Sequence, residues 1–310
     1  MAKAYVTLLT KPDYLPGTLV LALGLHVVRS KYPLVVMVTP DLPREARIVL
    51  HKRGIMTYDI EALRPRGPHT LDAYDARFAE TWTKLRAFEL VEFERVVLLD
   101  SDMVILQNMD ELLDELVLPA DEVAAAHVCA CNPRKLKHFP ADWVPENCAH
   151  SAVKSPTMPP PVPSAHAPRP YGQLNSGTVV LNPSRDLANR IYSFLYQSER
   201  IASFTFPDQD LLAAFFQGKW RPLSWRYNAL RTLRDLHTQE WRDDMVKCVH
   251  YILPEKPWHA RVPAKGTMRG EFDEVNRWWW DHYDAMAREI KVTDPDGWVL
   301  VNKYVAHPSQ

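Results

Sequence analysis

Apolar residues near the amino terminus fall in short unbroken runs, separated by stretches in which they recur at helical spacing. Ala4 to Leu9 reads as a strand, Gly17 to Val28 as a helix, and Leu34 to Val38 as a β-branched run of the kind buried on both faces. That order predicts a βαβ unit. A second helix is expected after Pro43. Glu80 to Glu94 again shows helical spacing, ahead of the strand Arg95 to Leu99, which stops at Asp100-Ser101-Asp102. A strand over Gly177 to Leu181, helices near Leu187 to Gln197 and Gln209 to Phe216, and a strand over Val246 to Ile252 continue the alternation. Strands alternating with helices imply an α/β fold with a mostly parallel sheet, whose ligands sit beyond the carboxyl ends of the strands. The acidic triplet stands at such an end.

Two segments depart from the alternation. Residues 153–170 contain SPTMPPPVPSAHAPRP, too rich in proline for a helix or an inner strand, so a mobile loop is expected, either a plain linker or a cover over part of the site. Residues 271–290 carry Trp278-Trp279-Trp280 in a pattern that suits an amphipathic helix packing its aromatic face on the main body. The whole of 1–310 reads as one domain with insertions.

The charge balance, 37 basic against 38 acidic residues, gives no broad attraction to nucleic acid or an anionic membrane. No run reaches the roughly 20 apolar residues of a membrane span. MAKAYVTLLT enters a strand directly, without the basic and apolar segments of a secretory signal, and four cysteines do not make a disulfide framework in a chain this long. A cytoplasmic location is expected. Cys129, Cys131 and Cys148 fall in one region with His127 and His150 nearby. Zinc is one reading of that group, but C-x-C is a weak spacing, and buried thiols are the more usual outcome.

The chemistry concentrates elsewhere. Asp100 and Asp102, at i and i+2 after a buried strand, can converge on one hard cation, although Asp-x-Asp also occurs by chance in solvated turns. His250, after the last expected strand, could complete the shell. Two carboxylates and one imidazole suit Mn²⁺ better than Mg²⁺ or zinc, and Lys256 could balance a diphosphate as a point charge.

Taken together and in order, these residues resemble glycosyltransferase family 8, the family of glycogenin and galactinol synthase, over nearly the whole chain. The resemblance is carried by Tyr5 to Thr10 with Tyr14, Tyr32 to Pro40, Thr83-Lys84-Leu85, Leu98 to Asp102, Asn175-Ser176-Gly177, Pro207 to Asp210, and His250 to Trp258. It implies a GT-A type, Rossmann-like nucleotide-sugar-binding domain and a retaining, Mn²⁺-dependent transfer of galactose or glucose from a UDP-sugar. It further implies that Leu8, Thr10 and Tyr14 hold the uridine and that Asp100, Asp102 and His250 bind Mn²⁺. Ser101, Lys84, Arg77 and Lys256 would contact the donor or its phosphates. Asn175, Asp208 and Gln209 would surround the transferred sugar, Asp208 and Gln209 being the catalytic candidates. The layout looks closer to galactinol synthase than to glycogenin.

Three positions depart from the pattern. Thr205 and Val128 stand where acidic residues are expected near the sugar or acceptor, and Leu253 replaces a glycine of the His-x-x-Gly-x-x-Lys segment. The acceptor, a small polyol or an oligosaccharide, is left open, as is a homodimer. The other reading is a catalytically weak UDP-sugar-binding regulator or scaffold. A sugar-nucleotide pyrophosphorylase would need a Gly-rich loop that VTLLTKPDY lacks.

Overall fold

The computed structural model describes residues 2–66, 76–263 and 270–307, with only the backbone of 76–79. Ten strands and eight α-helices follow one another among these residues: β1 (Ala2–Leu9), α1 (Leu15–Val27), β2 (Leu34–Val38), α2 (Arg44–Lys52), β3 (Met56–Asp59), β4 (Phe93–Leu99), β5 (Met103–Ile105), α3 (Glu111–Asp114), β6 (Val123–His127), β7 (Leu174–Leu181), α4 (Arg185–Gln197), α5 (Pro207–Phe215), β8 (Trp220–Pro222), β9 (Ala229–Leu230), α6 (Leu233–Leu236), β10 (Cys248–His250), α7 (Asp273–Thr293) and α8 (Pro295–Asn302). Seven strands form one sheet in the order β3-β2-β1-β4-β7-β6-β8, and β5-β10-β9 form a small second sheet. In the large sheet β1, β2, β3 and β4 run parallel, as does the β6/β8 pair, while β7 is antiparallel to both of its neighbours.

The unbroken apolar runs are explained by burial on both faces. Along β1, Tyr5 and Leu9 face one core while Ala4 and Val6 face the other. Along β2, Leu34, Val36 and Val38 alternate in the same way with Val35 and Met37. Helices α1, α2 and α7 cover the first face, α4 and α5 the second. Trp279 and Trp280 are buried in the first core, where Trp279 stacks on Tyr283 at 5.1 Å, so the aromatic side of the 271–290 segment does pack inward.

Two elements differ from the sequence reading. Instead of an α-helix over Glu80 to Glu94, Ala76–Glu89 is a 3-10 helix, and Phe93 already belongs to β4. The buried residues Trp82, Leu85 and Phe88 recur every third position, one 3-10 turn apart, and the extended tail pairs with β1. The last strand shortens to Cys248–His250, because Lys247 turns to bond Arg226 and Leu106 at its edge. The proline-rich segment forms no helix or strand before the 3-10 turn Arg169–Gly172. It is tied down through two carbonyls: Pro156 O accepts from Trp225 Nε1 at 3.1 Å, and Pro161 O lies 2.8 Å from His127 Nε2. No described helix is long and apolar enough to cross a membrane.

Candidate active site

The chain order reverses direction between β1 and β4, the place where an open parallel sheet leaves a crevice at its carboxyl edge. A cleft of about 840 Å³ opens there. Leu8, Thr10 and Tyr14 line it from the end of β1, and Asp100, Ser101 and Asp102 from the end of β4. Because β7 runs antiparallel, its beginning lies beside the end of β4. Asn175 and Ser176 therefore enter the same cleft, and Gly177 O receives the Asp100 N–H at 2.9 Å. Asp208 and Gln209 come from the first turn of α5, Lys84 from the 3-10 helix, and His250 and Lys256 from and beyond β10. Arg77 sits on the backbone of that 3-10 helix, and its side chain lies outside the described residues. None of residues 153–170 lines the cleft, so the structure does not place that loop over it as a cover.

Asp100, Asp102 and His250 converge with ligand atoms all within 4.8 Å of one another. His250 Nε2 lies 3.5 Å from Asp100 Oδ2 and 3.5 Å from Asp102 Oδ1. The orientation of this ring follows from a chain of hydrogen bonds that starts at a backbone amide. Gly177 N–H donates to Asn175 Oδ1 at 3.0 Å, so that atom is the oxygen. Asn228 must then approach it with its Nδ2, at 2.8 Å. Asn228 Oδ1 is left to face His250 Nδ1 at 2.9 Å, which therefore carries the proton and leaves Nε2 toward the two carboxylates. Asn175 Nδ2 extends the chain to Gln209 Oε1 at 3.1 Å. Two carboxylates and a lone-pair nitrogen aimed at one point are a donor set for a divalent cation, with an oriented histidine behind it.

Two lysines border this cluster. Lys84 Nζ lies 2.8 Å from Asp100 Oδ1 and 2.7 Å from Asp208 Oδ2. Burial works to discharge this ammonium, but the two carboxylates outweigh it and hold the Lys84 pKa above its ordinary value. Lys256 Nζ sits 2.5 Å from Asp102 Oδ2 and 2.8 Å from Tyr251 O. Asp102 would rise on burial alone, yet the Lys256 ammonium keeps its pKa well below the usual carboxylate range. Three carboxylates thus face two ammonium groups, a negative balance that a divalent cation reverses.

Close backbone approach explains the Asn-Ser-Gly motif. A Cβ on Gly177 would stand 2.3 Å from His250 Cε1 and 2.4 Å from Nδ1, and one on Gly17 would stand 2.4 Å from Ser101 O. Gly177→Ala is therefore expected to push the imidazole off Asn228 and weaken Mn²⁺ binding by ~10–100-fold in a folded protein, the usual cost of losing the support behind a metal-facing histidine. An unchanged Mn²⁺ affinity by titration calorimetry would mean that the ring position does not matter. At Leu253 the backbone takes φ 81°, in the left-handed region where a side chain costs about 1–2 kcal/mol, so the chain keeps a glycine-like turn after losing the glycine. Leu253→Gly should leave the thermal midpoint equal or slightly raised; a clear fall in a melt would place the strain elsewhere.

Val128 and Thr205, the other departures, both line the cleft, and Asp210 Oδ2 holds the Thr205 and Phe206 amides at 2.8 and 2.9 Å. Asn228 is a site residue the sequence reading does not single out, because nothing local to it points to His250.

The glycosyl transferase family 8 model matches residues 5–261. The chain belongs to glycosyl transferase family 8. Among its relatives it is 31% identical to galactinol synthase 1 of Solanum lycopersicum over 292 residues, 93% of this chain and 84% of that one. It is also 31% identical to galactinol synthase 7 of Arabidopsis thaliana over 297 residues, 94% and 85% of the two chains. Its fold is similar to that of the galactosyltransferase LgtC, whose crystal structure holds donor and acceptor sugar analogues, with a TM-score of 0.60, 16% identity, and coverage of 92% of this chain and 96% of that one. It also resembles the glycosyltransferase GlyE of Streptococcus pneumoniae TIGR4, with a TM-score of 0.56, 18% identity, and coverage of 99% and 66%. The GT-A fold class and the family expected from the motifs are both borne out, and the protein is a glycosyltransferase.

Proposed function

We propose that this family 8 member transfers a hexose, galactose in the first instance and glucose as the alternative, from a UDP-sugar to a free hydroxyl acceptor with retention of configuration. The observation that carries the proposal is the convergence of Asp100, Asp102 and the oriented His250 in the cleft that Asp208 and Gln209 also line. Mn²⁺ fits this donor set, and when bound it would supply Lewis acidity to the departing diphosphate. The chain's own residues do the rest. Leu8, Thr10 and Tyr14 receive the uridine. Lys256 and Lys84 add fixed positive charge where the leaving group becomes negative, the kind of preorganised stabilisation that contributes most at such a site. Arg77 and Ser101 make further contacts to the donor. Asn175, Asp208 and Gln209 face the transferred sugar.

For stereochemistry we favour entry of the acceptor on the face the diphosphate leaves, with the leaving phosphate accepting the acceptor proton and Asp208 positioning the sugar. The likeness to galactinol synthases makes a small polyol the first acceptor candidate, myo-inositol among them, with an oligosaccharide as the other. Self-modification in the manner of glycogenin is not expected, because 229–249 contains no tyrosine. The test is to incubate the protein with Mn²⁺, UDP-galactose or UDP-glucose and a panel of polyols and oligosaccharides, and to record product mass and anomeric configuration by proton NMR. An α-linked product from an α-linked donor supports the proposal; a β-linked product overturns retention. Binding of UDP-sugar without turnover on any acceptor or on water favours the regulator reading.

A further inference from the structure

Outside the cleft's carboxylate cluster, a second group of metal-binding side chains comes together: Cys129, Cys131, Cys148 and His237. Cys129 and Cys131 leave the end of β6, Cys148 lies at the start of the 3-10 turn Ala149–Ala152, and His237 follows α6. Their ligand atoms all lie within 4.8 Å of one another, and Cys131, Cys148 and His237 are buried. All three cysteines are free thiols, not a disulfide and a spare.

We infer that these four side chains form a structural zinc site. Zinc–sulfur bonds near 2.3 Å and a zinc–nitrogen bond near 2.0–2.1 Å at a tetrahedral angle separate sulfur from nitrogen by about 3.6 Å. His237 Nε2 lies 3.5 Å from Cys129 Sγ, 3.2 Å from Cys131 Sγ and 3.8 Å from Cys148 Sγ. Buried thiols alone do not account for this arrangement, since one ring nitrogen can share one hydrogen bond while three sulfurs are aimed at it. A single cation among them satisfies all four. The Ala130 N–H, 3.3 Å from Cys148 Sγ, supplies the backbone donor that a thiolate accepts. Three sulfurs and one imidazole select zinc over the hard cations of the cleft, and an iron–sulfur cluster would spread its thiolates over several irons.

His127 and His150, the histidines nearest in sequence, have other partners. His127 reaches the Pro161 carbonyl, while His150 bridges Glu240 at 2.8 Å and the His127 carbonyl at 3.2 Å. With four protein ligands the site has no open position, so its role is to hold chain rather than to react. What it holds is the wall of the cleft. Cys129 itself lines the cleft, and between the two ligating segments Asn132, Arg134, His138 and Trp143 line it from a stretch with no helix or strand before Pro145. The same cation would tie that wall to Leu230 and Thr232, which line the cleft just before His237.

The test uses the full chain, purified, loaded with zinc and exhaustively desalted, with metal counted by mass spectrometry. One zinc per chain is expected, with complete loss in Cys131→Ser and in Cys148→Ser. Retention is expected in His237→Cys, which restores four thiolates, and in Cys248→Ser, whose thiol lies outside the group. Should the serine variants fail to fold, cobalt substitution of the parent protein decides the matter. Intense visible ligand-field bands with a near-ultraviolet thiolate-to-cobalt transition support a tetrahedral thiolate site. A weak octahedral spectrum, no zinc on the parent chain, or full zinc on Cys148→Ser overturns it.

Discussion

Asp102→Asn protein is expected to fold and to release UDP from a UDP-hexose at least ~10³-fold more slowly than the parent, because it loses one of the two carboxylates that would hold the catalytic cation. The asparagine keeps the volume and an oxygen for Lys256 Nζ, now 2.5 Å from Asp102. Asp102→Ala is the less clean experiment. It strands a buried ammonium, and removing one partner of a buried pair costs about 3–5 kcal/mol, enough to confuse lost chemistry with lost structure. Circular dichroism together with a coupled UDP assay separates the two. A rate within tenfold of the parent removes Asp102 from the chemistry.

A second large effect is expected at Asp208. Asp208→Asn should leave the dissociation constant for UDP within about twofold while lowering turnover by ~10²-fold or more, in the range of a lost transition-state contact. The residue is buried in the first turn of α5, lines the cleft and shares Lys84 with Asp100, which places it at the cluster and not among the residues proposed to receive the uridine. Titration calorimetry with UDP and a turnover assay give the two numbers. Equal losses in both would place Asp208 in nucleotide binding or folding.

What the sequence made legible follows from how locally each feature is encoded. The apolar runs of β1, β2 and β4 announce themselves because both faces of the sheet are buried, and Asp100-x-Asp102 is readable because the strand before it ends within the same few residues. The 3-10 character of Ala76–Glu89 was hidden, since three- and four-residue spacings overlap over so short a segment. Asn228 was illegible for a different reason: its partner His250 is 22 residues away, and the geometry is set by Asn175 on β7, whose antiparallel direction the apolar pattern does not encode. His237 shows the same limit. Spacing alone directs attention to His127 and His150, whereas the ring that meets the three sulfurs lies just after α6, 89 residues beyond Cys148.

The central claim is that the cleft uses a divalent cation at Asp100, Asp102 and His250 to cleave a UDP-hexose. The most direct measurement is UDP release from UDP-galactose and UDP-glucose by one protein sample with Mn²⁺, after brief EDTA treatment, and after Mn²⁺ is restored, with zinc content followed in parallel. The account predicts release with Mn²⁺, its loss in EDTA while thiolate-bound zinc stays in place, and its recovery when Mn²⁺ returns. Undiminished release in EDTA, or no release from any UDP-sugar with Mn²⁺ present, would contradict it.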